Sequence, residues 1–131
     1  MTETLTTHKP GDSMNDGTVY AGSLDGREIY TTPEDAKLTY TFNEAADYAA
    51  KLNREKYLGH DDWRVPDKGE LNVLFENRAA VGGFDESGDG TDASYWSSLR
   101  VRDISWSQRF SDGKHSWNGQ YINSSLRCVR G

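Results

Sequence analysis

The chain has 131 residues and a formal net charge of −6, and only 34% of its residues are hydrophobic. This length indicates one domain, and four Trp, seven Tyr and four Phe can supply a small core because each buried ring removes a large area from water. The acidic balance excludes a general nucleic-acid-binding domain, and the single cysteine excludes an internal disulfide and a multi-cysteine metal site.

The amino-terminal residues differ from the rest of the chain. Residues 1–17 are polar and contain Pro10-Gly11, which predicts a disordered or loosely ordered tail before a domain over residues 18–131. The first residues have neither a basic segment nor an apolar run, so we expect no signal peptide and no membrane span. The expected location is cytoplasmic, with association with a particle or an envelope as the alternative.

Extended segments are predicted on both sides of a helical region. Asp25-Gly26 is a turn pair between residues 18–21 and 28–31, which favours a β-hairpin. A hairpin, two helices and a final run of antiparallel strands predict an α+β fold. The final strands are predicted at residues 95–99, 104–110, 115–121 and 125–130.

Two helices are predicted between the hairpin and the final strands. Thr41 is followed three residues later by Glu44, which is a capping box, and Asp67 with Glu70 repeats the pattern. We expect one face of each helix to pack against a sheet. These faces are Phe42, Ala45, Ala46, Ala49 and Leu52 in the first helix, and Leu71, Leu74, Phe75 and Arg78 in the second.

Several short motifs occur in an order that resembles a known family. Asp-Trp-Arg-Val-Pro at residues 62–66 is followed by Tyr-Trp-Ser-Ser at 95–98, by Trp106 with residues 110–113, and by Leu-Arg-Cys-Val-Arg at 126–130. This ordered set resembles the DUF1566 family, also called the Lcl carboxyl-terminal domain family, over residues 18–131. The resemblance implies a C-type-lectin-like fold with two helices packed on a twisted antiparallel sheet, similar to the variable proteins of diversity-generating retroelements.

The side chains within these motifs are predicted to stabilise the fold. Tryptophans at such positions are usually core anchors, and serine hydroxyls beside a strand more often bond to the backbone than attack a substrate. The expected roles are core anchors for Trp63, Trp96 and Trp106, a bridge between backbone carbonyls for Arg64, backbone caps or turns for Ser97 and Ser98, and a buried thiol for Cys128.

The predicted ligand-binding surface lies in residues 100–121. Polar side chains occupy the strand there or alternate along it with Ile104, Trp106 and Phe110, which are expected to be buried. Trp117 is the sharpest candidate because it lies outside the motifs and can stack on a sugar ring; packing against a neighbouring strand is the alternative. The candidate ligand-binding residues are Arg100, Arg102, Asp103, Ser105, Ser107, Arg109, Lys114, His115, Trp117, Asn118, Gln120 and Tyr121.

These observations favour a non-enzymatic recognition module whose partner is a glycan, an anionic small molecule or a protein. Residues 96–131 contain six basic and two acidic side chains, which indicates either a local anion site or ordinary solvated charges. The resemblance adds that some members are similar to adhesins for sulfated polysaccharides, and that retroelement variable proteins diversify the corresponding segment. The alternatives are therefore a retroelement-type variable receptor and a structural or particle component.

Calcium is the one cofactor that the sequence suggests, and only weakly. Asp85, Glu86, Asp89 and Asp92 offer hard oxygen ligands on a Gly-rich loop, although their spacing is not that of an EF-hand, and a solvated acidic loop is the alternative. No enzyme is predicted, because Cys128 lacks a second thiol partner and no phosphate-binding loop is present.

Overall fold

The computed structural model describes residues 8–86 and 94–131. Within these residues the strands form two three-stranded antiparallel sheets. The first sheet contains β1 (Val19–Leu24), β2 (Arg27–Thr31) and β6 (Val129–Arg130), and the second contains β3 (Ser94–Val101), β4 (Ile104–Arg109) and β5 (His115–Gly119). The helices are α1 (Phe42–Arg54), α2 (Lys68–Glu76) and the short α3 (Arg78–Val81), with a 3-10 turn at Tyr57–Gly59. The α+β prediction is confirmed, and the lectin-like relation stays a prediction.

The structure has two sheets where one was predicted. The two ends of the last predicted strand, residues 125–130, pair with different sheets. Ser125 forms a parallel bridge with Tyr95 of β3, whereas β6 pairs with β2 through Tyr30 and Arg130. The amino-terminal hairpin has the predicted two-residue turn at Asp25-Gly26, and both residues adopt positive φ angles of 52° and 80°. The carboxyl-terminal segment therefore links the two sheets.

Both predicted capping boxes are present. Thr41 accepts a hydrogen bond from the Glu44 backbone N–H, and the Glu44 carboxylate accepts one from Thr41. The buried stripe of α1 is narrower than predicted, since Ala45 and Ala49 are buried but Ala46 is exposed. Arg78 does not share the face of α2, because that helix ends at Glu76 and Arg78 begins α3.

Two of the motif tryptophans are core anchors, as predicted. Trp63 is 2% exposed and donates from Nε1 to the Tyr57 carbonyl, and Trp96 is 0% exposed and donates to the Tyr40 carbonyl. Cys128 is buried in the same apolar cluster, which confirms the prediction of a buried thiol.

A buried arginine joins three segments of the chain. Arg127 is 1% exposed and donates to the carbonyls of Thr32 (2.8 Å) and Gly82 (3.1 Å) and to the Asp35 carboxylate (3.1 Å). Tyr95 also donates from its hydroxyl to Asp35. Burial raises the pKa of Asp35, and the contacts with Tyr95 and Arg127 oppose part of that rise. The loop after β2 and the end of α3 are thereby fixed to the carboxyl-terminal segment.

A second buried charge lies at the start of α2. The Glu70 carboxylate is 0% exposed and accepts hydrogen bonds from Arg64, from Arg27 and from the Asp67 backbone N–H. Burial acts to raise the pKa of Glu70, but these donors outweigh it and lower the pKa. Arg64 is thus a scaffold residue, but its main partner is a carboxylate; the predicted carbonyl bridge is limited to Gly131 O at 3.3 Å.

The amino-terminal segment contributes to the fold before residue 18. The Gly11 N–H donates to the Tyr20 carbonyl (2.8 Å), and the Tyr20 N–H donates to the Asp12 carbonyl (2.9 Å). Asp16 Oδ2 lies 2.6 Å from Nε2 of His60. The structure therefore differs from the predicted tail over residues 8–17, while residues 1–7 lie outside the described part of the chain.

We expect Trp63→Ala to lower the free energy of unfolding by about 3–5 kcal/mol, because truncation of a buried aromatic side chain leaves a cavity. Trp117→Ala is the matched control, since Trp117 is 43% exposed and should cause a much smaller loss. Urea denaturation followed by circular dichroism measures both variants. Equal stabilities of Trp63→Ala and wild type would contradict the core assignment.

The Asp16–His60 contact predicts a pH-dependent contribution to stability. Burial acts to raise the pKa of Asp16, but hydrogen bonds from His60 and Thr18 outweigh it and lower the pKa from 3.8 to about 2. The contribution is therefore present above the unfolded-state pKa and is lost as the pH falls towards 2. Asp16→Asn should be less stable than wild type at pH 5 by less than about 1 kcal/mol, because the side chain is partly exposed.

Denaturation of both proteins between pH 2 and pH 6 measures this effect. A stability difference that stays constant over the whole range would show that ionised Asp16 has no part in it.

Candidate ligand-binding face

The second sheet has one face that α2 covers only in part. Gln108 donates from Nε2 to Asn72 Oδ1 of α2 (3.1 Å), and the Phe110 ring packs on the Phe75 ring with centroids 5.5 Å apart. Trp106 lies on the same face as Gln108, because residues two apart in a strand point in the same direction. Trp106 is only partly buried and belongs to neither core cluster, so its predicted role as a core anchor is not borne out in full.

A cluster of rings surrounds Trp106, and we call it, with Lys68, the aromatic face. The Trp117 ring meets the Trp106 ring edge to face with centroids 5.2 Å apart, and the His115 ring lies 4.7 Å from it. The Lys68 ammonium of α2 lies 4.7 Å from the centre of the Trp106 ring. The cross-strand packing stated above as the alternative therefore occurs, and Trp117 is still 43% exposed. Stacking of this ring on a ligand stays a prediction.

A shallow groove adjoins the aromatic face at the amino-terminal end of α2. It has a volume of about 620 Å³ and lies between the β1–β2 turn, the start of α2 and the distal part of β3. Lys68 lines this groove and also contacts Trp106, so the two features share one cationic group. Arg27 also lines the groove.

The distal end of the second sheet exposes apolar side chains. Ile104 is 40% exposed, so the prediction that β4 buries it is wrong, whereas Phe110 is buried as predicted. The reason is that α2 contacts this face at Trp106 and Gln108, and Ile104 lies further along the strand. The other exposed apolar side chains at this end are Leu99, Val101, Tyr121 and Ile122.

Two of the predicted ligand-binding residues point inward. Ser105 is 2% exposed and Ser107 is 0% exposed, so the prediction that they contact a ligand is wrong. They alternate with Ile104 and Trp106 and therefore face the other side of the sheet. Asn118 is partly buried beside them and donates from Nδ2 to Ser107 Oγ (2.7 Å).

Most of the positive charge in residues 96–131 is engaged within the protein. Arg109 forms an ion pair with Asp112, which lowers the pKa of that carboxyl, and Arg130 pairs with Asp62. Arg127 is the buried residue described above. The six basic side chains therefore do not form one anion-binding surface, because three of them are paired with carboxylates of the protein.

The remaining predicted residues are exposed to different degrees. Arg100 donates to Asn43 Oδ1 (2.9 Å) and lies over the Phe42 ring, so it is held on the α1 side of the sheet. Arg102 is exposed at the β3–β4 turn and has a φ angle of 56°. The rest of the set comprises Asp103, Lys114, His115 and Tyr121, which are exposed, and Gln120, which is intermediate.

Sequence reasoning did not select Lys68, which lies close to Trp106 in space. Lys68 is the first residue of α2 and follows the motif at residues 62–66. No local signal connects it with a strand that begins 36 residues later. The contact arises from the packing of α2 on the second sheet.

Two of the four suggested calcium ligands are described. The Asp85 N–H donates to the Tyr95 hydroxyl, and Glu86 forms an ion pair with Arg78. Asp89 and Asp92 lie outside the described residues. Within residues 8–86 and 94–131, no group of three or more His, Cys, Asp or Glu side chains is placed to hold a metal ion.

The motif prediction agrees with a comparison against protein families. The Lcl C-terminal domain family matches residues 14–130, and the chain belongs to this family. None of the curated proteins matches the chain. Among the helices in the described part of the chain, none has the length and apolar character required to cross a membrane.

We expect Ser107→Ala to lower the free energy of unfolding by about 1 kcal/mol, because Asn118 loses a buried hydrogen-bond acceptor. Binding at the aromatic face should stay unchanged, since Ser107 faces the other side of the sheet. Ser116→Ala on the neighbouring strand is the control, because Ser116 is exposed. Thermal denaturation compares the variants, and equal destabilisation by both would contradict the inward orientation of Ser107.

Proposed function

We propose that the chain is a non-enzymatic recognition domain that binds an anionic glycan on the aromatic face. The observation that supports this most strongly is the exposed Trp117 ring, packed against Trp106 beside the Lys68 ammonium. An indole ring offers a flat apolar surface to the C–H groups of a sugar, and an ammonium next to it can pair with a sulfate or carboxylate.

The packing of the rings favours binding. Trp117 is held by its edge-to-face contact with Trp106, and Trp106 is held by His115 and Lys68. A ring already fixed in one orientation loses little conformational freedom when a ligand binds, so more of the contact energy is retained as affinity. This arrangement supports a recognition role for the face.

The expected preference for anions depends on a smaller set of cations than the sequence suggests. Lys68 lies at the aromatic face, and Arg102 and Lys114 are exposed at the turns that precede and follow β4. Exposed positive charges raise the local concentration of an anionic ligand, and salt weakens this effect. We therefore expect affinity to decrease as ionic strength increases.

The proposal of a non-enzymatic role is supported by the two candidate nucleophiles, Cys128 and Ser97. Burial raises the pKa of Cys128 to about 12, so its thiol stays protonated near neutral pH. The Ser97 hydroxyl donates to the Trp106 carbonyl and accepts from the Leu99 N–H, as expected for a serine that shapes the backbone. Both groups are engaged in the fold.

The test is the double variant Trp117→Ala with Arg102→Ala, titrated with heparin oligosaccharides by isothermal titration calorimetry. Affinity should fall at least about tenfold while the melting temperature changes little, because both side chains are exposed. The control is Arg54→Ala, which removes one exposed basic side chain of α1 away from the aromatic face. An unchanged dissociation constant for the Trp117 and Arg102 variant would reject the aromatic face.

A structural or particle component is the second candidate, and the exposed apolar end of the second sheet favours it. Leu99, Val101 and Ile104 lie close together there and would suit a protein contact. Sedimentation velocity over a range of protein concentrations tests self-association. A retroelement-type receptor is distinguished at the gene level by a nearby near-copy of the last segment that differs at adenines.

A further inference from the structure

A second cavity lies apart from the aromatic face. It has a volume of about 620 Å³, within the range of small-molecule pockets, and shares no lining residue with the groove beside Lys68. The loop after β2, α1 and the 3-10 turn form its walls. Tyr40, Tyr48 and Tyr57 line it, together with the buried thiol of Cys128.

The three tyrosines converge on one space. The Tyr40 and Tyr48 rings are 5.3 Å apart with an interplanar angle of 38°, and the Tyr57 ring is held against Trp63 at 5.8 Å. Burial raises the pKa of Tyr48 to about 12, and the nearby ionisable groups of Cys128, Tyr40 and Tyr57 add to this rise.

The phenol hydroxyls offer hydrogen bonds to a guest molecule. Across residues 8–86 and 94–131, the hydroxyls of Tyr40, Tyr48 and Tyr57 have no protein hydrogen-bond partner. All three tyrosines are partly exposed to solvent. A molecule in the cavity would therefore meet ring surfaces and O–H donors at the same time.

The charged groups of the cavity favour an anion. Lys37 and Lys51 line it, and neither ammonium forms an ion pair within the described residues. Two carboxylates, Glu34 and Asp35, also line it, but Asp35 is engaged by Arg127. One excess positive charge is then left to attract a ligand with a single negative charge.

We propose that this cavity binds a small molecule with one carboxylate on a six-membered ring. The ring would pack on the tyrosine surfaces, and the carboxylate would accept hydrogen bonds from the phenol hydroxyls and the Lys51 ammonium. An organic cation is disfavoured by the two lysines, and a polyanion is disfavoured by Glu34. Two sources share this chemistry: an aromatic acid and a free uronic acid.

Calorimetric titration of the full chain with 4-hydroxybenzoate and with glucuronate tests the proposal. The neutral counterparts, methyl 4-hydroxybenzoate and glucose, should bind about tenfold more weakly, because an ionised acceptor makes the stronger hydrogen bonds. Lys51→Gln and Tyr48→Phe should each weaken binding of the acid by about tenfold while leaving the melting temperature nearly unchanged. Lys68→Gln is the matched control and should bind the acid as wild type does.

The outcomes separate the two sources and the two sites. Binding of 4-hydroxybenzoate alone supports an aromatic acid, and binding of glucuronate alone supports a sugar acid. Failure of both acids to bind would overturn the proposal, as would unchanged affinity in both Lys51→Gln and Tyr48→Phe. An equal loss in Lys68→Gln would place the molecule at the aromatic face and overturn this site, whereas loss of heparin binding in Lys68→Gln alone would leave it intact.

Discussion

The fold depends on the buried guanidinium of Arg127. Its donors bind the Thr32 carbonyl and the Asp35 carboxylate in the loop after β2, and the Gly82 carbonyl at the end of α3. These two segments therefore have fixed positions relative to the carboxyl-terminal segment. Removal of one partner of a buried ion pair typically costs about 3–5 kcal/mol, because the other charge is left uncompensated. Gly83 belongs to this arrangement, since a Cβ there would lie 3.3 Å from the guanidinium. Asp35 also accepts a hydrogen bond from Tyr95 of β3, which connects this arrangement to the second sheet.

The parts of the fold that sequence predicts well are local. Each capping box involves residues three apart, and the Asp25-Gly26 turn is defined by its own backbone conformation. The division into two sheets involves the long-range pairing of β6 with β2, for which no local pattern exists. The ion pair of Arg130 with Asp62 spans 68 positions, so the net charge of the carboxyl-terminal segment overestimated what a ligand would meet.

The burial and contacts of single side chains in the candidate site also depend on long-range packing, which sequence does not predict. The alternation along β4 is as predicted, but Ile104 is exposed because α2 contacts that face of the strand only at Trp106 and Gln108. The size and hydrophobicity of a side chain therefore do not predict its burial in this strand, since Ser105 and Ser107 are buried and Ile104 is exposed. Trp117 could be selected from sequence because it lies outside the motifs, and its ring is 43% exposed. Lys68 could be recognised only once α2 was placed against Trp106.

The β3–β4 turn has a consequence for how the protein can vary. Arg102 adopts a φ angle of 56°, a region that side chains with a Cβ occupy at a cost of about 1–2 kcal/mol and that glycine occupies freely. A glycine at this position would relieve strain but would remove a guanidinium from the tip of the hairpin. Backbone stability therefore favours glycine at this residue, whereas contact with a ligand favours arginine. Selection for thermal stability alone would replace Arg102 by glycine.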